Sequence, residues 1–342
     1  SREDVSPICQ QVGGGPTPLS CGSGAFGGNG IGAIEKILYQ SAPITLNGTP
    51  PAEGWIFTYK DFSRNTALTN LQNPASYGIT LASTMFAIPN SPGGCVDNSP
   101  QFLQEPYFVS CVGDQYEYNM NPVDIDLDSI SVSFGQPMDR ILGATYNPPS
   151  DPIPVPYEPG FSVNSPTPGT GMNAGNVSAN VDPLSGNLTF LSNNAGNFAI
   201  KVVTRSYRQG VLIAEVEREM QLIVANCSGT NTAPDVNGPF AGAFEITVNA
   251  GDPVNFNLSS LDLEFLQDGS PQNNILTVTG LEIGPNPTLN SGCAIGPCAT
   301  IDANPPITMS QGVSTNFNWQ TSCNHLINPY GFVAAEVPYH FV

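Results

Sequence analysis

The sequence predicts an all-β protein built of tandem, disulfide-containing β-sandwich modules, and three observations carry that prediction. Apolar and polar residues alternate at period two along many short segments. Gly and Pro, 35 and 33 of the 342 residues, break those segments up as turns do in two-layer β folds. Residues 231–342 repeat the pattern of residues 98–230, at a spacing that marks an array of domains.

The segments follow in order. Residues 1–97 read as an N-terminal β domain that lacks its own first strands. Within it Trp55, Phe57 and Tyr59 alternate with Ile56, Thr58 and Lys60 in a strand, and residues 65–71 read as a short helix. In residues 98–230, Ile130, Val132 and Phe134 alternate with Ser129, Ser131 and Ser133, and Phe198, Ile200 and Val202 form another strand. Residues 214–224 are Glu-rich, which favours a helix. Yet Ala214, Val216, Met220, Leu222 and Val224 fall on one side at period two and Glu215, Glu217, Glu219 and Gln221 on the other, the pattern of a half-buried strand. Arg208-Gln209-Gly210 supplies the hairpin turn before it. Eight prolines in the 21 positions 148–168 forbid a central strand and make that segment a long loop.

The repeat is explicit. Residues 113–119 match residues 251–257, and the same ungapped alignment carries Asp124-Ile125-Asp126 onto Asp262-Leu263-Glu264. Farther on, Phe198 matches Phe332 and Arg208 matches Val342, so the second copy stops before the counterpart of the strand in 209–227. A sandwich short of one strand leaves an unpaired edge. The expectation is that the chain continues beyond Val342 or that a neighbour donates the strand. Self-assembly, or joining of neighbouring domains through edge strands, is the partner expected.

Composition narrows function. With 9 basic against 28 acidic side chains the net charge is −19, which excludes extensive contact with nucleic-acid phosphates and docking on anionic lipid heads. No apolar run approaches the ~18 residues of a membrane span. Two histidines, His325 and His340, all but exclude His-rich metal sites and Ser-His-Asp geometry. Eight dispersed cysteines without a C-x2-C pair read as an extracellular, oxidised protein whose pairing the sequence leaves open. Cys293 and Cys298 close a small loop or pair elsewhere, and Cys323 reads as a disulfide partner beside a surface His325.

Several strings resemble one family. They are Ser6-Pro7-Ile8-Cys9; the strand from Trp55 to Tyr59 followed by Arg64-Asn65-Thr66-Ala67-Leu68-Thr69-Asn70-Leu71-Gln72-Asn73-Pro74; residues 95–102; Cys111-Val112-Gly113; the acidic turn from Asp124 to Ser129; Tyr157-Glu158-Pro159-Gly160-Phe161-Ser162; and residues 182–190. In this order they resemble the gliding-motility-associated surface proteins of Bacteroidota, which are very large and are exported by type IX secretion. The resemblance covers most of residues 5–235. Two cysteines that the family often carries before Arg64 are Phe62 and Ser63 here, and Leu127 replaces the usual Gly of the acidic turn. The resemblance implies tandem Ig-like or cadherin-like domains, secretion, cell-surface display and a structural or adhesive role without catalysis.

Candidate sites are few. Asp124, Asp126 and Asp128 alternate, and oxygen ligands so spaced could hold Ca²⁺ if the loop curls them inward, although the Gly and Glu of an EF-hand are missing. No other cofactor is expected. Gly28-Asn29-Gly30-Ile31-Gly32 lacks the strand and the Lys of a phosphate loop. Trp55, Trp319 and the tyrosines could form a sugar platform, so the alternative function is a calcium-dependent carbohydrate-binding module directed at cell-surface glycans.

Overall fold

The computed structural model describes residues 2–4, 8–10, 16–18, 35–88, 97–106, 109–226, 234–265, 269–331 and 333–342. Strand makes up 42% of the chain and helix 2%, so the all-β class stands. The glycine-rich loop at 28–32, Phe332, and Cys21, Cys95 and Cys227 lie outside the described residues.

The chain divides into two compact units. The smaller holds Ser1–Gly48 with Leu263–Asn273. In it Arg2–Asp4 pairs antiparallel with Glu35–Ile37, and Ile8–Gln10 with Pro16–Pro18.

The larger unit, Thr49–Asp262 with Asn274–Val342, carries the sheets that matter for function. Its strands are β1 (Trp55–Asp61), β2 (Ile79–Met85), β3 (Val109–Cys111), β4 (Gln115–Asn119), β5 (Ser129–Gly135), β6 (Val177–Val181), β7 (Asn187–Leu191), β8 (Gly196–Arg208), β9 (Val211–Ala225), β10 (Asp235–Val236), β11 (Pro253–Leu261), β12 (Thr300–Ile301) and β13 (Ser314–Gln320). A six-stranded sheet runs β5-β8-β9-β2-β1, with β3 also on β9. The 15-residue β9 has length enough for two neighbours on one edge. Its start pairs antiparallel with β2 (Val216 with Ser83) and its end parallel with β3 (Ile223 with Val109). The boundary expected at residue 97 therefore lies inside one sheet, because β1 and β2 pair onto a strand of the next segment.

Period-two patterning is realised where one face is buried. Phe198, Ile200 and Val202 of β8 and Met220, Leu222 and Val224 of β9 pack with Tyr116 and Tyr118 of β4 and Leu188 and Phe190 of β7. That core joins the large sheet to the three-stranded sheet β6-β7-β4. The hairpin between β8 and β9 turns at Gln209 and Gly210, with φ of 52° and 77°, the left-handed pair that a two-residue hairpin requires. The second core gathers Val254, Phe317, Trp319 and Ile301 beside the four-stranded sheet β10-β11-β13-β12.

Three expectations fail locally. Residues 65–71 form turns with isolated bridges, not a helix. The buried Asn70 amide donates to Pro166 and Ala199 carbonyls and accepts from the Ala199 N–H, and these tertiary bonds hold the turns against β8. The Glu side of β9 is not a solvated face: Glu219 pairs with Arg64 and Glu217 with Lys201, all nearly buried. Phe57 and Tyr59 of β1, at 45% and 42% exposure, are not core residues.

Candidate functional site

The acidic run closes into a turn. The Leu127 N–H donates to the Asp124 carbonyl at 3.1 Å, and Leu127 takes φ 58°, a left-handed conformation in which a glycine would be unstrained. Curled this way, Asp124, Asp126 and Asp128 are all buried. The structure brings Asp126 and Asp128 together and adds Asp97, with one oxygen of each within 4.8 Å of the others. Asp124 is not part of that trio.

Asp124 accepts from the Ser206 hydroxyl at 2.5 Å and from the Asp126 N–H at 2.9 Å, which staples the turn to β8. Asp126 accepts from the Asn98 N–H and side-chain amide at 2.7 and 2.9 Å, and from the Tyr330 hydroxyl at 3.3 Å. Asp128 takes a two-pronged bond from Arg208, with Nε at 2.8 Å and Nη2 at 2.5 Å. The same Nη2 reaches Asp97 at 3.1 Å and lies 3.5 Å from Asp126. The Tyr330 ring lies under the guanidinium, 4.7 Å from centroid to Cζ. Only Asp97 Oδ2, among these carboxylate oxygens, is buried without a donor.

Burial raises the carboxyls of Asp97, Asp124 and Asp128. Desolvation pushes Asp97 up to about 6 against the opposing pull of Arg208. It pushes Asp124 up to about 7 and Asp128 up in the same direction. Three acids share one guanidinium with Asp124 beside them, and protons supply part of the missing positive charge near neutral pH.

The expected calcium set is thus rearranged. Ca²⁺ takes six to eight oxygens, but here the positive charge among Asp97, Asp126 and Asp128 is Arg208, and calcium would have to displace it. The arrangement clasps an arginine and ties three places together: the loop at Asp97, the acidic turn, and Tyr330 near the end of the chain. Sequence reading missed Asp97, Arg208 and Tyr330. Arg208 could have been noticed as one of few cations in an acidic chain; Asp97 and Tyr330 carry no local signal.

A second buried cluster lies in the second copy. Glu282 is fully buried and neither carboxylate oxygen has a hydrogen bond of good geometry; desolvation, opposed by the Ile295 backbone, pushes it up to about 8. His325 Nδ1 accepts from the Ser322 N–H at 3.0 Å, so the ring proton sits on Nε2, 3.3 Å from the Ile295 carbonyl and 3.7 Å from Glu282. Burial lowers the His325 value. Both ring nitrogens bond to backbone groups, so His325 does not face a nucleophile. It is buried against Trp319 and Tyr339 and not on the surface, while Cys323 beside it is an exposed free thiol and not a disulfide partner. Cys293 and Cys298 do bond to each other, and their loop offers the Ile295 and Pro297 carbonyls to His325 and to Trp319 Nε1. Cys111 is also disulfide-bonded. Trp319, buried in the second core, presents no sugar platform.

Compared with protein-family models, with curated proteins and with solved structures, the chain finds no match in any of the three.

Proposed function

We propose that this chain is a structural and adhesive segment of a very large secreted surface protein, forming part of an extracellular filament or appendage for adhesion, gliding or capture of other cells. Tandem Ig-like modules, the first taking residues 55–85 into its sheet, cell-surface localisation and a non-enzymatic role belong to the same reading. The observation that carries it is the clasp. Arg208 of the first repeat copy lies on Tyr330 of the second, and Tyr330 donates to Asp126 of the first. Close by in the fold, Asn121 donates to Thr279 at 3.1 Å and Thr279 to Gln104 at 3.3 Å. Relative motion is the default for domains joined by polar contacts; the buried ion pairs and ring contact at this junction oppose it, and a stiff run of modules is what transmits force along an appendage. An acidic exterior keeps such a protein soluble.

The test is mechanical. Beads coated with the whole chain should remain on a lawn of cells at a shear that removes albumin-coated beads; equal release would overturn the reading. The buried, unpartnered Asp97 Oδ2 favours the second reading, calcium-dependent glycan binding. That reading predicts a glycan-induced change in Trp fluorescence abolished by chelator, whereas the arginine clasp predicts no response to either.

A further inference from the structure

The outward face of the second copy's sheet carries side-chain amides that the fold does not use. β11 and β13 lie antiparallel, and on their exposed side Asn255 stands opposite Asn318 and Asn257 opposite Asn316. Thr300 of β12 continues the first row beside Asn318. Asn is disfavoured in strands, so each of these residues calls for a compensating bond. The second row has its bonds. Asn257 donates to Ser314 and Asn316 at 3.0 and 3.2 Å, and Asn316 donates to Asp302 at 2.7 Å. The first row does not: the side chains of Asn255 and Asn318 make no hydrogen bond among the described residues. Both line a cleft of about 240 Å³. Beside them Gln320 gives its Nε2 to the Gly251 carbonyl at 2.7 Å and keeps Oε1 for another partner. Asn290 accepts from the Cys298 N–H at 2.7 Å and keeps its Nδ2. No residue lining the cleft is charged, in a chain of net charge −19.

We propose that this cleft binds a neutral glycan without calcium. A primary amide offers donors and an acceptor side by side, and a sugar hydroxyl uses one of each. Asn255, Asn290, Thr300, Asn318 and Gln320 present both kinds to one small volume. An anionic ligand finds no cation there and meets the repulsion of an acidic chain, and a cationic one finds no carboxylate in the lining. An apolar ligand would cover the amides and leave them unpaired, which costs affinity. The volume lies below the about 300–1,000 Å³ of sites for drug-sized ligands, so the cleft takes one ring of a chain whose remainder runs out over the exposed face. Pro253 gives that ring an apolar edge. The site is separate from the arginine clasp. The inference deepens the adhesive reading and rests on it for one point, that the glycan belongs to the surface of another cell.

The probes are maltohexaose, cellohexaose, laminarihexaose and mannohexaose, titrated calorimetrically into the whole chain in EDTA, with polygalacturonate as the anionic control. At least one neutral probe should bind with a Kd below about 1 mM. Asn255→Ala combined with Asn318→Ala, both at exposed positions, should weaken that binding about ten-fold or more. Ser259→Ala, two rows away on the same face, should leave it unchanged. In the parent the bound probe should shift the side-chain amide resonances of Asn255 and Asn318, and shifts confined to other residues would overturn the proposal. So would binding of none of the neutral probes, equal binding by the double variant, or polygalacturonate bound as tightly. Binding that appears only when Ca²⁺ is restored would also overturn it and would belong to the calcium-dependent reading. Oligosaccharide binding without retention of beads on cells would count against the adhesive function and leave the site standing. Bead retention by a chain that binds none of the probes would leave the function and remove the site.

Discussion

Glu282 shows what one side chain can do to a pH profile. A carboxyl in water ionises near 4.5; buried without a well-aligned donor, this one holds its proton up to about 8. Between those values the folded chain binds a proton that the unfolded chain does not, so this contribution to stability is complete below pH 4.5 and is lost as pH rises through 8. Asp97 and Asp124, raised from 3.8 to about 6 and about 7, act with the same sign over a lower window. His325, pushed down, acts oppositely and loses stability as pH falls through its folded value. Glu282→Gln should therefore match the parent in Tm near pH 5 and exceed it above pH 8, as thermal melts would record; parallel profiles would show that Glu282 finds a donor. Arg208 is the converse case. Arg208→Ala leaves Asp97, Asp126 and Asp128 buried around no cation, and removing one partner of a buried pair costs about 3–5 kcal/mol. Urea unfolding should show that loss near pH 7.5 and a smaller one at pH 5, where Asp97 and Asp124 are protonated; a loss independent of pH would point to packing alone.

At the scale of elements, β9 explains both what could be read and what could not. Its period-two apolar side and the Gln209-Gly210 turn are local properties, so strand and hairpin were legible in the sequence. The fate of its other side was not. Glu217 and Glu219 look solvated in one dimension, yet β8 supplies Lys201, and Arg64 comes from just before the segment 65–71 that sequence read as helical. That helix failed for the same reason, since Asn70 bonds to β8 and to the Pro-rich loop, partners that no local window contains. The candidate site follows the same rule: Asp126 and Asp128 were visible as a spacing, while Asp97 and Arg208 arrive through the fold. Because Arg64 is buried beside Glu219, Glu219→Ala should cost about 3–5 kcal/mol in urea unfolding. Glu215→Ala, whose pair with Arg205 is part-exposed, should cost about 0–1 kcal/mol. Equal losses would mean that the Glu side of β9 opens to water.

For the larger unit as a whole, the question is whether its two repeat copies unfold together. Each has its own core, so each could melt alone; the contacts that couple them include the polar junction at Tyr330 and Thr279 and the attraction between His340 and Asp182. A hydrogen bond to a charged acceptor contributes about 1.5–3 kcal/mol and a guanidinium over a ring about 0.5–2. Tyr330 makes both contacts, so its removal withdraws about 2–5 kcal/mol of coupling. Tyr330→Phe keeps the ring under Arg208 and loses the Asp126 bond alone. Calorimetry of the parent should give one transition for this unit. Tyr330→Ala should separate it into two, the second repeat copy melting first because its four-stranded sheet and core bury fewer apolar side chains than the six-stranded sheet and core of the first. Tyr330→Phe should fall between them. The ordering matters more than the size. If the copies are coupled through these side chains, the split must grow from Phe to Ala, and in the Arg208→Ala background Tyr330→Ala must add no more than Tyr330→Phe, since the ring then has no guanidinium to lose and only the Asp126 bond remains. A single transition in every variant would place the coupling elsewhere and remove the stiffness argument for an appendage.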